Sequence, residues 1–294
     1  MRDAPHSWRS ASRSSRVDEA RLPKEAGVLN GWTLLTTTLE TIMGAMISNE
    51  FAEDVAIVTG SGVNTGSVIA MRLAASGAAV VVNYRRAEKG ANDTVEKIRS
   101  AGGRAIAVRA DVTRQDEVNS MVAQAISTFG LPSILINNAN VRSFRPIMDI
   151  TIEEWRQTLG PTLDGTFFCV QACVPHMRKR GRGTIVNVGG GSGHSGRPQR
   201  CHVAAAKAGL AGMTGSLAAE LAPDDITVNC IVPGKIDIRP PTNDRINLTS
   251  HTPLGRAGEM DEIATLVEFL CTSKCRYMTG QMLHVNGGAY VTIA

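Results

Sequence analysis

The chain has 294 residues, 43% of them hydrophobic, and a formal net charge of +4. That length and apolar content suit one large α/β domain with a tail, and so small a charge on so long a chain gives no footing for nucleic acid. Six cysteines (169, 173, 201, 230, 271 and 275) fall within expected core elements, and neither i,i+4 pair has metal-spaced ligands beside it. Reduced core thiols in a cytoplasmic protein, with no metal site, are expected.

Residues 1–45 differ in character from the rest. Positions 1–16 are rich in Arg and Ser with Asp3 as the single acid, a mild likeness to a transit peptide. Positions 32–47 are more apolar, but the run is short and carries Glu40 and several threonines, so no membrane span is expected. A disordered or artefactual extension is preferred over organelle targeting, with Met43 or Met46 as an alternative start. The folded domain is expected over 46–294.

Ala56-Ile57-Val58 reads as a buried parallel strand that breaks into a loop rich in Gly, Ser and Asn. From Gly66 a helix follows, with Val68, Met71, Arg72 and Ala75 on one face and Ile69 and Leu73 on another, ending at Ser76-Gly77. Strand, glycine loop and helix start together aim free N–H groups and a helix dipole at a pyrophosphate. A second strand (79–83) precedes a helix with Ala91, Val95 and Ile98 inward; a third (105–108) ends near Asp111. Thr113 is the expected cap of the next helix, which turns Val118, Met121, Val122, Ala125 and Phe129 inward. Strand 133–137 leads to a helical region over 151–180 that Pro161 should kink. Strand 183–188, helix 202–221, strand 227–232, helix 259–272 and strand 282–285 complete the pattern. Strands alternating with helices predict an α/β fold, a single Rossmann-type doubly wound parallel sheet of order 3-2-1-4-5-6-7.

The chain resembles the short-chain dehydrogenase/reductase family over about 52–290. The ordered markers are Thr59-Gly60 with Gly66, Asp111-Val112, Asn137-Asn138-Ala139, Lys207-Ala-Gly, Pro233-Gly234, Pro253-Leu-Gly-Arg256, and Thr279-Gly280 before Val285-Asn-Gly-Gly288. Its general look is that of 3-oxoacyl-carrier-protein reductases and related alcohol dehydrogenases. The resemblance implies NAD(P) binding through Thr59, Gly60, Asn64, Gly66, Arg85, Arg86, Asp111, Val112, Asn138, Ala139, Lys207, Pro233, Gly234 and Ile236. It also implies a small carbonyl or alcohol substrate and a homo-oligomer, a dimer or tetramer. The second strand runs into Asn83-Tyr84-Arg85-Arg86 with no acid to meet a ribose, so NADP(H) is favoured over NAD(H). Two family glycines are asparagines, Asn64 and Asn140, and asparagine is well suited to positive φ.

Members of the family use a serine, a tyrosine, a lysine four residues after it, and an asparagine on the long helix. Lys207 fits the lysine, but the tyrosine position is Val203, the serine position Gly190 and the asparagine position Thr162; Ile238 replaces a usual threonine. A positioned general acid contributes about 10²–10⁴-fold and an oxyanion donor roughly 10²–10³-fold, so turnover by the usual route should be very slow. Substitutes within reach of the Gly189–Gly191 loop are Ser192 and His194, with Lys207 itself a third. His202 points about 100° from Val203, and His176, His251 and His284 read as surface or packing residues. The loop from Asp237 to Thr252, carrying Pro240-Pro241, is expected to be a short, stiff lid. Two functions follow: an NADP(H)-dependent oxidoreductase with a non-standard proton donor, or a catalytically silent dinucleotide binder acting as sensor or as partner to an active paralogue.

Overall fold

The computed structural model describes residues 49–239 and 252–291. Seven apolar runs form one parallel sheet: β1 (Val55–Val58), β2 (Ala79–Tyr84), β3 (Arg104–Arg109), β4 (Ile134–Asn137), β5 (Gly183–Val188), β6 (Ile226–Pro233) and β7 (Met282–Val285). Their order is 3-2-1-4-5-6-7, as the alternation of elements predicts. A separate two-residue ladder pairs Ile236–Asp237 with Gly258–Glu259.

Strands buried on both faces divide their side chains by parity between two cores. Val58, Val80, Ile136, Val186 and Ile231 face one layer of helices, and Ile57, Val81, Leu135, Ile185 and Val228 the other. The first core is closed by α1 (Asn64–Ala75), α2 (Glu88–Ser100) and α7 (Met260–Cys271); the second by α3 (Gln115–Phe129), α5 (Asp164–Arg180) and the end of α6 (Cys201–Leu221). On α1 the Ile69/Leu73 face enters the core, while Arg72 on the other face pairs with Asp261 (2.6 Å) and Glu268 (3.1 Å) of α7.

Two local expectations are corrected. Thr113 does not cap α3: its hydroxyl donates to Asp111 Oδ1 at 2.8 Å and its N–H to the same oxygen at 3.0 Å, so Arg114 takes the cap position without a side-chain bond. The region 151–180 breaks at Leu163 rather than kinking at Pro161. Pro161 sits inside the last turn of α4 (Ile152–Thr162), and α5 starts at Asp164. Cys169 and Cys173 are buried on α5, and burial pushes the Cys169 thiol up to about 12.

The ends of the strands away from the cleft carry a polar knot. Buried Asp54, before β1, accepts from Ser133 Oγ (2.7 Å), Arg182 (3.0 Å) and Arg180 (3.3 Å). Arg276 donates to Gly183 O (3.0 Å) and Thr184 Oγ1 (3.2 Å) at the start of β5. Among the described residues no helix is long and apolar enough to cross a membrane, and no three His, Cys, Asp or Glu side chains gather as metal ligands. The extension 1–45, His251 and Pro240-Pro241 with most of the expected lid lie outside the described residues.

Candidate functional site: a dinucleotide cleft and a lysine pocket

The carboxyl ends of β1, β2 and β4 open on a cleft lined by Gly60, Asn64, Gly66, Arg85, Asp111, Val112, Asn138, Ala139 and, further along, Asn140, Val141, Arg142 and Pro161. Asn138 binds its two rims together. Its side-chain amide donates to Thr59 O and Gly60 O at 3.0 Å each, and its backbone N–H to Thr59 Oγ1 at 2.9 Å. Thr59 therefore stands behind the cleft as a brace. Gly60 takes φ +59° against Ala139, and a Cβ on Gly66 would lie 2.5 Å from the Asn138 amide. Asn64 opens α1 at φ +55°, the left-handed geometry that glycine or asparagine tolerates. Asn140 does not share it: its φ is not positive, and its side chain donates to Asn138 O at 2.7 Å.

The N-terminus of α1 has no side-chain cap and no acid in its first turn, so its free N–H groups are available to an anion. Arg85 reaches Asp111 at 3.4 Å. Burial raises the Asp111 pKa, but the two bonds from Thr113 and the charge of Arg85 outweigh it and hold the carboxyl below its ordinary value. Arg86 is exposed and lies outside the cleft lining. Pro233 ends β6, Gly234 just beyond it is pressed against Asn286 (2.7 Å from a would-be Cβ), and half-buried Ile236 enters the short ladder. These residues fit a dinucleotide: an uncapped helix start for the pyrophosphate, glycines where a Cβ would obstruct, and a guanidinium at the end of β2.

Lys207 is buried on α6, its Nζ donating to Val188 O at 2.9 Å. Burial pushes its pKa down to about 8; Cys230 opposes the fall and Arg142 adds to it. Gly190 faces it directly, since a Cβ there would lie 3.8 Å from Lys207 Cε. Val203, one turn earlier on α6, and Thr162 are both buried, and the Thr162 hydroxyl has no hydrogen-bond partner. The turn Gly191–Gly193 rests on the Lys207 backbone, with a would-be Cβ of Gly193 at 2.8 Å, which keeps Ser192 near the pocket. His194 is carried elsewhere: its ring meets His284 of β7 edge-on at 4.8 Å and Tyr290 at 5.9 Å. Neither that cluster nor the contact of buried His202 Nε2 with Ser143 Oγ at 2.5 Å follows from local sequence pattern.

Fold and cleft together define a dinucleotide-binding α/β protein of the oxidoreductase type. A family model described as enoyl-(acyl carrier protein) reductase matches residues 62–290, and the chain belongs to the short-chain dehydrogenase/reductase family. It is 37% identical over 240 residues to the 3-oxoacyl-[acyl-carrier-protein] reductase FabG of Staphylococcus aureus, covering 80% of this chain and 98% of that one. It is 39% identical over 238 residues to a (2S)-[(R)-hydroxy(phenyl)methyl]succinyl-CoA dehydrogenase subunit of Thauera aromatica, covering 80% and 95%. Among solved structures, a blue fluorescent protein from a metagenomic library in complex with NADPH superposes with a TM-score of 0.76 at 33% identity, covering 82% of this chain and all of that one.

Proposed function

We propose that the chain is an NADP(H)-dependent oxidoreductase of carbonyl or alcohol substrates that works with a non-standard proton donor. The observation that carries the reading is the junction of an intact dinucleotide cleft with a buried, hydrogen-bonded lysine facing Gly190. Gly60, Gly66 and the start of α1 hold the pyrophosphate, Arg85 meets the 2′-phosphate, and Lys207 orients the nicotinamide ribose. Bound NADPH supplies the hydride. The proton comes from Ser192 Oγ or from Lys207 Nζ, whose pKa of about 8 leaves it able to give up a proton near neutral pH. His194, engaged with His284 and Tyr290, is not retained in that role.

The absence of a hydroxyl at Gly190 and Val203 favours a second reading, a dinucleotide-binding sensor or a partner subunit to an active paralogue. NADPH oxidation with a carbonyl panel that includes an acetoacetyl thioester separates the two. The natural chain is run beside its Gly190→Ser/Val203→Tyr variant, with NADPH binding followed by fluorescence. Turnover by the natural chain above solution background supports the enzyme. NADPH binding without turnover, in a chain whose variant gains activity, leaves the sensor or partner reading standing.

A further inference from the structure

Two segments meet beside Lys207: 139–146 after β4, and 189–203, which runs from the end of β5 into the first turn of α6. They are tied together by Arg145 N–H donating to Gln199 O at 2.8 Å. Between them they contain four arginines (142, 145, 197 and 200) and no aspartate or glutamate. Arg145 is neutralised by Glu154 at 3.2 Å. No carboxylate of a described residue lies within ion-pair distance of Arg142, Arg197 or Arg200.

Arg200 is not a freely solvated surface charge. Its guanidinium lies 3.6 Å over the Phe144 ring, its Nη1 reaches Ser192 Oγ at 3.4 Å, and its Nε is shut away from solvent with no acceptor. Burial, then the positive fields of Arg197 and Arg142, hold its pKa below the usual guanidinium range. Arg142 bears in the same way on Lys207 and lines the end of the cleft beside Asn140 and Pro161. Arg200 meets Ser192, whose turn rests on the Lys207 backbone, and the Arg145–Gln199 bond holds the Arg142 and Arg200 segments side by side, so like charges gather near Lys207, where an oxyanion would relieve their mutual repulsion. A planar guanidinium held by stacking offers paired N–H donors in the geometry that a carboxylate accepts.

We infer that Arg142 and Arg200 form an anion subsite that selects substrates carrying their own carboxylate next to the reacting carbonyl, the class of oxo-acids. The inference rests on the oxidoreductase reading and names the substrate class for it. Binding is tested apart from turnover by saturating the full chain with NADP⁺, which cannot reduce a ketone, and titrating acetoacetate and its neutral methyl ester by calorimetry. Acetoacetate should bind tighter by about tenfold or more, the scale of a charge-assisted hydrogen-bonded pair. Added salt should shrink the difference. R200Q, at a residue outside the lining of the dinucleotide cleft, should abolish it with NADP⁺ affinity unchanged, R200K should keep part of it, and R142Q should shrink it.

Equal binding of acid and ester by the natural chain overturns the inference. So does an R142Q variant that loses NADP⁺ affinity instead, because Arg142 then belongs to the cofactor phosphates. If NADP⁺ itself does not bind, the same titration is read on the free chain. Carboxylate selection without NADPH turnover upholds the subsite and removes the enzyme reading. Turnover of acid and ester alike, indifferent to Arg142 and Arg200, does the reverse.

Discussion

Gly66→Ala tests how the cleft is held together. The added methyl would lie 2.5 Å from Asn138 Nδ2, 2.6 Å from Gly60 O and 2.8 Å from Ser61 Cα, all inside contact distance. Two responses are open. The Asn138 amide can withdraw, giving up its bonds to Thr59 O and Gly60 O at about 1 kcal/mol each, or the loop backbone can shift at a cost of about 1–3 kcal/mol. Higher helix propensity returns up to about 1 kcal/mol, so the net loss should be roughly 1 kcal/mol. For a domain of this size that lowers Tm by about 2–4 °C. Gly212→Ala, on α6 with nothing within 4 Å of its would-be Cβ, is the matched control and should gain stability from propensity alone. Urea denaturation gives both values, and an NADPH fluorescence titration reports the cleft. If Gly66→Ala matches the control in stability and keeps NADPH affinity, the steric account of the cleft is wrong.

Two further outcomes are expected. Asn64→Gly should be neutral or stabilising and Asn64→Val should lose about 1–2 kcal/mol in thermal melts, because φ +55° is strained for a β-branched residue. Lys207→Met addresses the buried amine, whose pKa of about 8 lies below the 10.5 of an ordinary lysine. Above pH 10.5 the amine is neutral folded or unfolded. As pH falls from 10.5 to 8 the unfolded chain takes up the proton first, so the natural protein loses stability across that window and the loss is complete below it. The variant should therefore gain relative stability between those values and hold it at lower pH, while losing NADPH affinity; urea midpoints across the range decide the sign.

The central strands of the sheet were legible because they are buried on both faces, and runs such as Val80-Val81-Val82 admit no other environment. The Asn64 backbone was legible too, since the need for positive φ restricts residue type, but the same argument failed at Asn140, which uses its amide to bond Asn138 O. Thr113 misled because a hydroxyl able to cap a helix can equally serve a carboxylate two residues away, and Asp111 takes it. Leu163 rather than Pro161 ends α4: Pro161 lies in the last turn, so the backbone bond it forfeits falls beside the point where the helix stops. Ser143 and His202 are 59 positions apart, and His194 meets His284 from another strand; pairings set by the sheet order leave no local trace. Nor does sequence reveal which arginine finds a carboxylate: Arg145 does, through Glu154 on α4, and its neighbour Arg142 does not.

The Asp54 knot, with Ser133, Arg180 and Arg182, lies at the starts of the strands, and the cleft and lysine pocket lie at their ends. Foundation and workshop occupy opposite floors of the building. Residues at the mouth can then be exchanged over evolutionary time with little effect on the anchorage beneath them. A position such as Gly190, with no neighbour closer than 3.8 Å to a new Cβ, is free to lose or regain a side chain while the fold persists. That separation makes this chain a suitable scaffold for directed evolution of the pocket, where a library can vary Gly190 and Gly191 while the first strand's anchorage is left untouched.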